Sequence, residues 1–413
     1  MELALAALIA VPPAVYFAGQ RSQAAVAAKW ARLGEFKALN DHAAVVEKHF
    51  SKEKGTVLLI GSSGFVGVRI QDLLVEAAAT HKAALNLVCV DINPPKHLRE
   101  DMVYFTGDLR EPKHIESIYE AMKSRGFPIK GTIHLASIIP FLGIPESFIT
   151  RVNVDGLQDS VQMAKKHGVM GFLYTSSATC ILDGANDAPA DGVDEDAPYP
   201  AVNMDTYTTT KVAAEKIVSA AHAPGFFTAV VRPSGIIGPG DKVLYDKLSK
   251  GEDNKWIQGK GNGECLLDMV GVDAVALGHV MAVNELIKAD GTLQRPQTTI
   301  INLSAGKGIQ YKHMIGSEVE KDGKSYWGQP PAEPVPAKVV SCLAGINETW
   351  CNIFGKALLS PCLARVSLNF TQRTYIFSNK RARDLLGWQP EDDDIKDTMR
   401  KYLCRDPSRQ KKV

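Results

Sequence analysis

None of the seven cysteines (Cys89, Cys180, Cys265, Cys342, Cys351, Cys362 and Cys404) stands in CxxC spacing, which argues against a zinc site or a disulfide framework. An odd number of scattered thiols fits a reducing compartment. A charge excess is missing too. Lys and Arg number 47 against 46 Asp and Glu, a formal net charge of +1, so nothing electrostatic points to a nucleic-acid partner. Hydrophobic residues at 45% and charged residues at 23% are those of an ordinary globular protein. With 413 residues the chain exceeds one compact core, and a large α/β domain with a substrate-binding extension is expected.

Charge is scarcest at the start. Residues 1 to 19 hold one charged side chain, Glu2. A helix of roughly 20 apolar residues can cross a bilayer, and a membrane helix tolerates the kink that Pro12 and Pro13 would impose. The leading charge is acidic, unlike that of a cleavable signal, and Arg21, Lys29, Arg32 and Lys37 follow the apolar run. The expectation is a membrane anchor over residues 1–20 with the large domain on the cytosolic side. A transit peptide and an amphipathic helix packed on the domain are the alternatives. A polar helical linker is expected over 21–50.

From residue 51 to about 240, short apolar runs alternate with helical patterns. Residues 55–60, 85–90, 103–105, 132–136, 171–175 and 227–231 read as buried strands. Residues 68–79, 111–124, 152–166 and a stretch ending near 221 read as helices. The expected fold is α/β, a doubly wound parallel (Rossmann-type) sheet with a smaller C-terminal substrate-binding cap and an N-terminal hydrophobic helix. The cap is assigned mainly to residues 241–400, where Pro and Gly are frequent and no internal repeat occurs, and a basic tail to 401–413. Within the cap, residues 335–370 are apolar with few charges. They suit a core-facing helix pair or a surface dipping into a bilayer.

The loop Gly61-Ser-Ser-Gly64-Phe-Val-Gly67 follows the first strand and opens a helix. Gly61 permits the turn, Gly64 lets backbone approach a pyrophosphate, and Gly67 allows the helix to pack closely. Ser63, Phe65 and Val66 complete this dinucleotide loop. Asp91, ending the second strand, can accept hydrogen bonds from ribose hydroxyls and would repel a 2′-phosphate, favouring NAD over NADP. Nearby Lys96 and Arg99 could moderate that preference. Asp108 and Leu109 end the third strand, where adenine is expected. Tyr207 and Lys211 stand four residues apart, on one helix face, downstream of Thr175-Ser-Ser177. A lysine and a positively charged nicotinamide can bring a phenol toward a usable pKa, so Tyr207 is the expected base. Lys211 is its partner and a holder of the nicotinamide ribose, and Ser177 positions the substrate oxygen. Those three residues are the candidate catalytic set. His134 and His279 read as core or surface histidines.

These motifs resemble the extended short-chain dehydrogenase/reductases, and within them the 3β-hydroxysteroid dehydrogenase/isomerase family. Val90-Asp-Ile92, Gly107-Asp-Leu109, Ile133-His-Leu-Ala-Ser137, Asn153-Val-Asp-Gly156, Arg232-Pro233, Gly238-Pro-Gly-Asp241 and the closing stretch Phe377–Pro390 support the resemblance. It implies that Ala136 and Asn153 lie near the nicotinamide ribose and active-site backbone, and Pro233 and Ser234 near the carboxamide. For Asn153 a structural bond between a helix and a loop is an equal alternative. The resemblance further implies NAD-dependent oxidation of a 3β-hydroxysterol, a 4α-carboxysterol losing carbon dioxide being the preferred substrate. Other steroid dehydrogenase/isomerases, a carbonyl reductase, a nucleotide-sugar epimerase and a silent NAD-binding scaffold are the competing readings. Ala274 stands where the family commonly has Asn, one of several departures within the cap. An endoplasmic reticulum membrane location is expected; the tail Arg409-Gln-Lys-Lys-Val413 hints at retrieval, but its dilysine spacing is imperfect and a frayed basic end is the preferred reading. The assembly state is left open, a homodimer included.

Overall fold

The structure, a computed structural model, describes residue 28 and residues 31–79, 85–139, 143–184, 186–241, 264–311, 320–321, 324–325, 336–354, 357–359, 372–390, 397–398 and 401–402. The expected anchor over 1–20, most of the expected tail and, within the 335–370 stretch, residues 335, 355–356 and 360–370 lie outside these residues. Among the described residues no helix is long and apolar enough to cross a membrane.

The strands among the described residues, in chain order, are β1 (Lys37–Ala38), β2 (Gly55–Ile60), β3 (Leu85–Asp91), β4 (Val103–Thr106), β5 (Gly131–His134), β6 (Gly171–Thr175), β7 (Phe227–Pro233), β8 (Gly235–Ile237), β9 (Leu266–Gly271), β10 (Thr299–Leu303), β11 (Gly308–Gln310) and the antiparallel pair β12 (Glu320–Lys321) and β13 (Lys324–Ser325). Eight of them form one sheet in the order β1-β4-β3-β2-β5-β6-β7-β10. All its neighbours pair in parallel except β1, which runs antiparallel to β4 at the edge. Val57, Leu58 and Leu59 of β2 are all 0% exposed, which is why this strand is continuously apolar rather than alternating. Val57 and Leu59 face a core shared with Ile70, Val283 and Leu286, while Leu58 and Ile60 face one shared with Ile118, Val161 and Val218. Helices therefore cover both faces.

After the edge strand β1, the chain lays β2 near the middle of the sheet, steps outward through β3 and β4, then crosses back to β5 on the other side of β2. Ile60 is paired with Val90 on one side and His134 on the other. Gly61, Asp91 and Ala136 thus emerge together at the reversal of strand order, where α/β sheets hold ligands.

Three sequence expectations change. The linker over 21–50 is not one helix: β1 lies within it and only His42–His49 is a complete helix among its described residues. The boundary at 240 also moves, because β10 extends the main sheet and helix Val272–Ile287 packs beneath it with Leu286 and Val283 in the core. The expected tail starts on an anchored residue: Tyr402 is buried, and its hydroxyl accepts from the Asp273 N–H at 3.1 Å. Trp388 of the closing motif is 0% exposed and donates to the Ala274 carbonyl at 2.8 Å, so this motif also serves the sheet domain. A small second sheet, β11-β9-β8, begins the cap.

Candidate active site

The glycine loop leads from β2 into helix Phe65–Ala79. Gly61 adopts φ +88°, and a Cβ there would stand 2.7 Å from the Ala136 nitrogen. A Cβ on Gly67 would stand 2.4 Å from the Gly61 carbonyl oxygen, so the helix start can press onto the turn only as glycine. Beside Gly64 the space is open apart from Gly61 O at 3.3 Å. An open cradle of backbone at a helix N-terminus is what a pyrophosphate requires, and these residues fit a dinucleotide. The Phe65 ring lies against Gly240, so the Gly238–Asp241 stretch flanks the loop, while Val66 packs into the cores.

Asp91 is half-buried at the edge of this cradle. Its carboxylate accepts from Ser63 N at 3.0 Å and Asn93 N at 2.9 Å, and the Ser63 hydroxyl donates to Asn93 O at 2.8 Å. Burial raises its pKa against these bonds. Arg99 is paired with Asp72. Asp108 is committed differently from the adenine role foreseen for it. Its buried carboxylate holds the Arg110 guanidinium at 2.6 Å and accepts from Gly34 N at 2.7 Å and Arg110 N at 3.0 Å. Burial works against the ionised form, but these partners outweigh it and hold the carboxyl below its usual range. Leu109 is buried and packs against Gly156.

Helix Thr206–Ala221 begins at Asp205, whose side chain accepts from Thr208 N at 2.7 Å. Such a cap contributes about 1 kcal/mol and fixes the first turn, which carries Tyr207. One turn later, Lys211 is 2% exposed. Its ammonium donates to the Thr175 carbonyl at 2.7 Å and lies 5.6 Å from the Tyr207 ring centre and 4.9 Å from that of Tyr174. Burial lowers the Lys211 pKa to about 8, with Cys180 and Glu215 acting against it. Tyr207 moves the other way. Burial, then Cys180 and Asp205, push its phenol above the ordinary range, and a hydrogen bond from Ser177 pulls it down. The lowering expected from lysine and nicotinamide together is therefore not delivered by the protein's own groups. Ser177, at the end of β6, caps the short helical turn Ala178–Ile181 and lies 2.9 Å from the Thr179 hydroxyl. Its neighbour Ser176 is buried against Cys180, 3.4 Å away.

Sequence reasoning missed the support beneath this trio. The Thr175 hydroxyl is 2.8 Å from His279 Nε2, and His279 Nδ1 is 2.7 Å from the Val275 carbonyl. The carbonyl can only accept, so Nδ1 carries the proton and Nε2 accepts from Thr175. Burial lowers the His279 pKa to about 4, consistent with this neutral tautomer. No local pattern joins residues 104 positions apart. His134 is buried as well, with burial and then Lys211 lowering its pKa to about 3. Asn153 makes the structural bond: its amide oxygen accepts from Ile138 N at 2.7 Å, and its nitrogen donates to Ile138 O at 3.0 Å and Thr210 Oγ1 at 3.1 Å. It sits in a π-helical turn, Arg151–Asp155, and ties the loop after β5 to the Tyr207 helix. Pro233 closes β7 on the far side of β6, paired with Leu303 of β10.

Residues 58–300 match the family model described as the 3-beta hydroxysteroid dehydrogenase/isomerase family. The chain belongs to that family. It is 33% identical over 249 residues to a sterol-4-alpha-carboxylate 3-dehydrogenase, decarboxylating, of Candida albicans, covering 57% of this chain and 67% of the relative. The Schizosaccharomyces pombe protein of the same name is 29% identical over 344 residues, covering 81% and 93%. Short-chain dehydrogenase/reductase family 42E member 1 of Bos taurus is 26% identical over 360 residues, covering 84% and 86%. Among solved structures, UDP-glucose 4-epimerase of Thermotoga maritima superposes with a TM-score of 0.60 at 17% identity, over 86% of this chain and 99% of that one. At that identity the likeness concerns the fold alone.

Proposed function

We propose that this family member oxidises the 3β-hydroxyl of a sterol with NAD, and that its substrate is a 4α-carboxysterol, which then loses carbon dioxide. One observation carries the reading. Ser177, Tyr207 and Lys211 converge at the C-terminal ends of β6 and its neighbours, beside a glycine cradle shaped for a dinucleotide. The two fungal relatives named as decarboxylating sterol-4-alpha-carboxylate 3-dehydrogenases support the substrate class.

The loop Gly61–Gly67 and Asp91 would hold NAD, which when bound would supply the acceptor for the hydride leaving carbon 3. Tyr207 takes the hydroxyl proton, and Ser177 holds the substrate oxygen at the phenol. Lys211, fixed by Thr175, keeps positive charge beneath the ring and favours the phenolate once the site is electropositive. The product ketone lies β to the C4 carboxylate. Its C–C bond breaks as the electron pair passes to the ketone oxygen, giving an enolate and carbon dioxide, so no separate decarboxylating residue is needed. Incubation with NAD and a panel of a 4α-carboxysterol, a 3β-hydroxysteroid and UDP-sugars tests this. NADH from the first substrate is expected; turnover of UDP-sugars alone would overturn it.

An apolar substrate suits a membrane-associated enzyme of the endoplasmic reticulum with its catalytic domain cytosolic. Residues 1–20 supply the anchor in this reading. Helix Ala337–Phe354 supports a second contact: Val339, Leu343, Ile346 and Trp350 are exposed, while Val340, Ala344, Asn347 and Cys351 on its other side are buried. Leu343→Glu with Trp350→Glu should weaken sedimentation with phosphatidylcholine vesicles. Unchanged sedimentation would remove this contact.

A further inference from the structure

The segment from Arg32 to Ala38 lies across the ends of β3 and β4, outside the dinucleotide loop. Gly34 N donates to Asp108 Oδ2 at 2.7 Å, and Arg110 Nη2 donates to the Arg32 carbonyl at 2.6 Å. Gly34 also rests on Ile92, the residue after Asp91: a Cβ built there would stand 2.7 Å from Ile92 Cγ1 and 3.4 Å from Asp108 Cβ. Phe36 stacks on Phe105 and His114, with ring centres 5.8 and 5.2 Å away, and His114 Nδ1 in turn accepts from Asp108 N at 3.1 Å. Lys37 and Ala38 then pair with Phe105 and Thr106 as β1.

With a pyrophosphate on the glycine loop and a ribose at Asp91, the adenosine half of a dinucleotide falls on these same strand ends. The Asp108 carboxylate, which sequence reasoning offers to adenine, has both oxygens taken by Gly34 and Arg110. Its ionised form has no proton to give and few lone pairs left. What it holds is the backbone of this segment. Leu33 and Ile92 remain half exposed beside it, apolar surface of the sort that binds a flat heteroaromatic ring.

We propose that the segment Arg32–Phe36 is the outer wall of the adenosine subsite, with Asp108 and Arg110 acting as positioning residues that hold it. Cofactor affinity then depends on residues that precede the dinucleotide-binding sheet. This inference rests on the cleft being an NAD site. The test is calorimetric titration of the full chain, as wild type, Gly34→Val and Phe36→Ala, with NAD, ADP-ribose and nicotinamide mononucleotide. Gly34→Val wedges the wall off Ile92, and Phe36→Ala removes its ring anchor. Each should weaken NAD and ADP-ribose by about tenfold and leave the mononucleotide unchanged. In the wild type, ADP-ribose should slow amide exchange over residues 31–38, a readout independent of how well either variant folds. Unchanged affinities, tighter binding by a loosened segment, or exchange indifferent to ADP-ribose would each overturn the proposal. A wild type that binds neither NAD nor ADP-ribose would instead overturn the reading of the cleft.

Discussion

The Lys211 ammonium stands 5.6 Å from the centre of the Tyr207 ring and gives its hydrogen bond to the Thr175 carbonyl, 2.7 Å away. The lysine is thus a fixed charge under the phenol and not a proton donor to it. Tyr207→Phe keeps the ring and removes the proton acceptor. Turnover should fall by roughly 10²–10⁴ with NAD affinity nearly unchanged. Lys211→Met should lower turnover and weaken NAD binding together. Steady-state kinetics beside calorimetric titration separates the two patterns.

Burying that ammonium has a signature in stability. Its pKa falls from 10.5 unfolded to about 8 folded, so between these values the unfolded chain binds more protons. The contribution of Lys211 therefore improves as pH rises through this window, and its burial penalty is complete below about 8. Urea unfolding on both sides of the window should show the wild type gaining on Lys211→Met as pH rises. A constant difference would contradict the assignment.

Gly67 sets the approach of the first helix to its turn. In Gly67→Ala the new methyl would meet the Gly61 and Ser62 carbonyl oxygens at 2.4 and 2.8 Å, backbone atoms that cannot swing aside. A loss of about 1–3 kcal/mol is expected, as for overpacking, together with loss of NAD binding. Thermal unfolding and titration measure the two effects.

The catalytic helix is bolted to β7 by a buried pair, Arg232 and Glu215. Arg232 donates to the carboxylate through Nε at 2.9 Å and Nη2 at 2.6 Å, and the Tyr199 hydroxyl adds a bond at 2.7 Å. Arg232→Met strands a carboxylate that is 0% exposed and should cost about 3–5 kcal/mol by denaturant titration. Adding Glu215→Leu should recover much of that loss, because the stranded charge goes with it.

Much of this architecture is legible in the chain because its signals are local. A strand buried on both faces leaves an unbroken run such as Val57–Ile60, and a glycine at 67 and a Tyr/Lys pair at helical spacing announce themselves within a few residues. The rest depends on partners distant in sequence. β10 is a five-residue run, Thr299–Leu303, inside a stretch that otherwise reads as cap, and only its pairing with β7 assigns it to the sheet. The same holds for Asp108, whose partner Gly34 lies 74 positions away, and for Thr175 on His279. Asn153 could not be decided between cofactor and structure from sequence, since both roles ask for the same amide near the same strand.

The central claim is that one oxidation at carbon 3, with Tyr207 as base, also releases the C4 carboxylate. The most direct measurement supplies a 4α-carboxysterol labelled at the carboxyl carbon, with NAD, and follows NADH and labelled carbon dioxide together. Equal amounts of both, lost together in Tyr207→Phe, are predicted. Carbon dioxide released without NADH, or undiminished by Tyr207→Phe, would contradict the account.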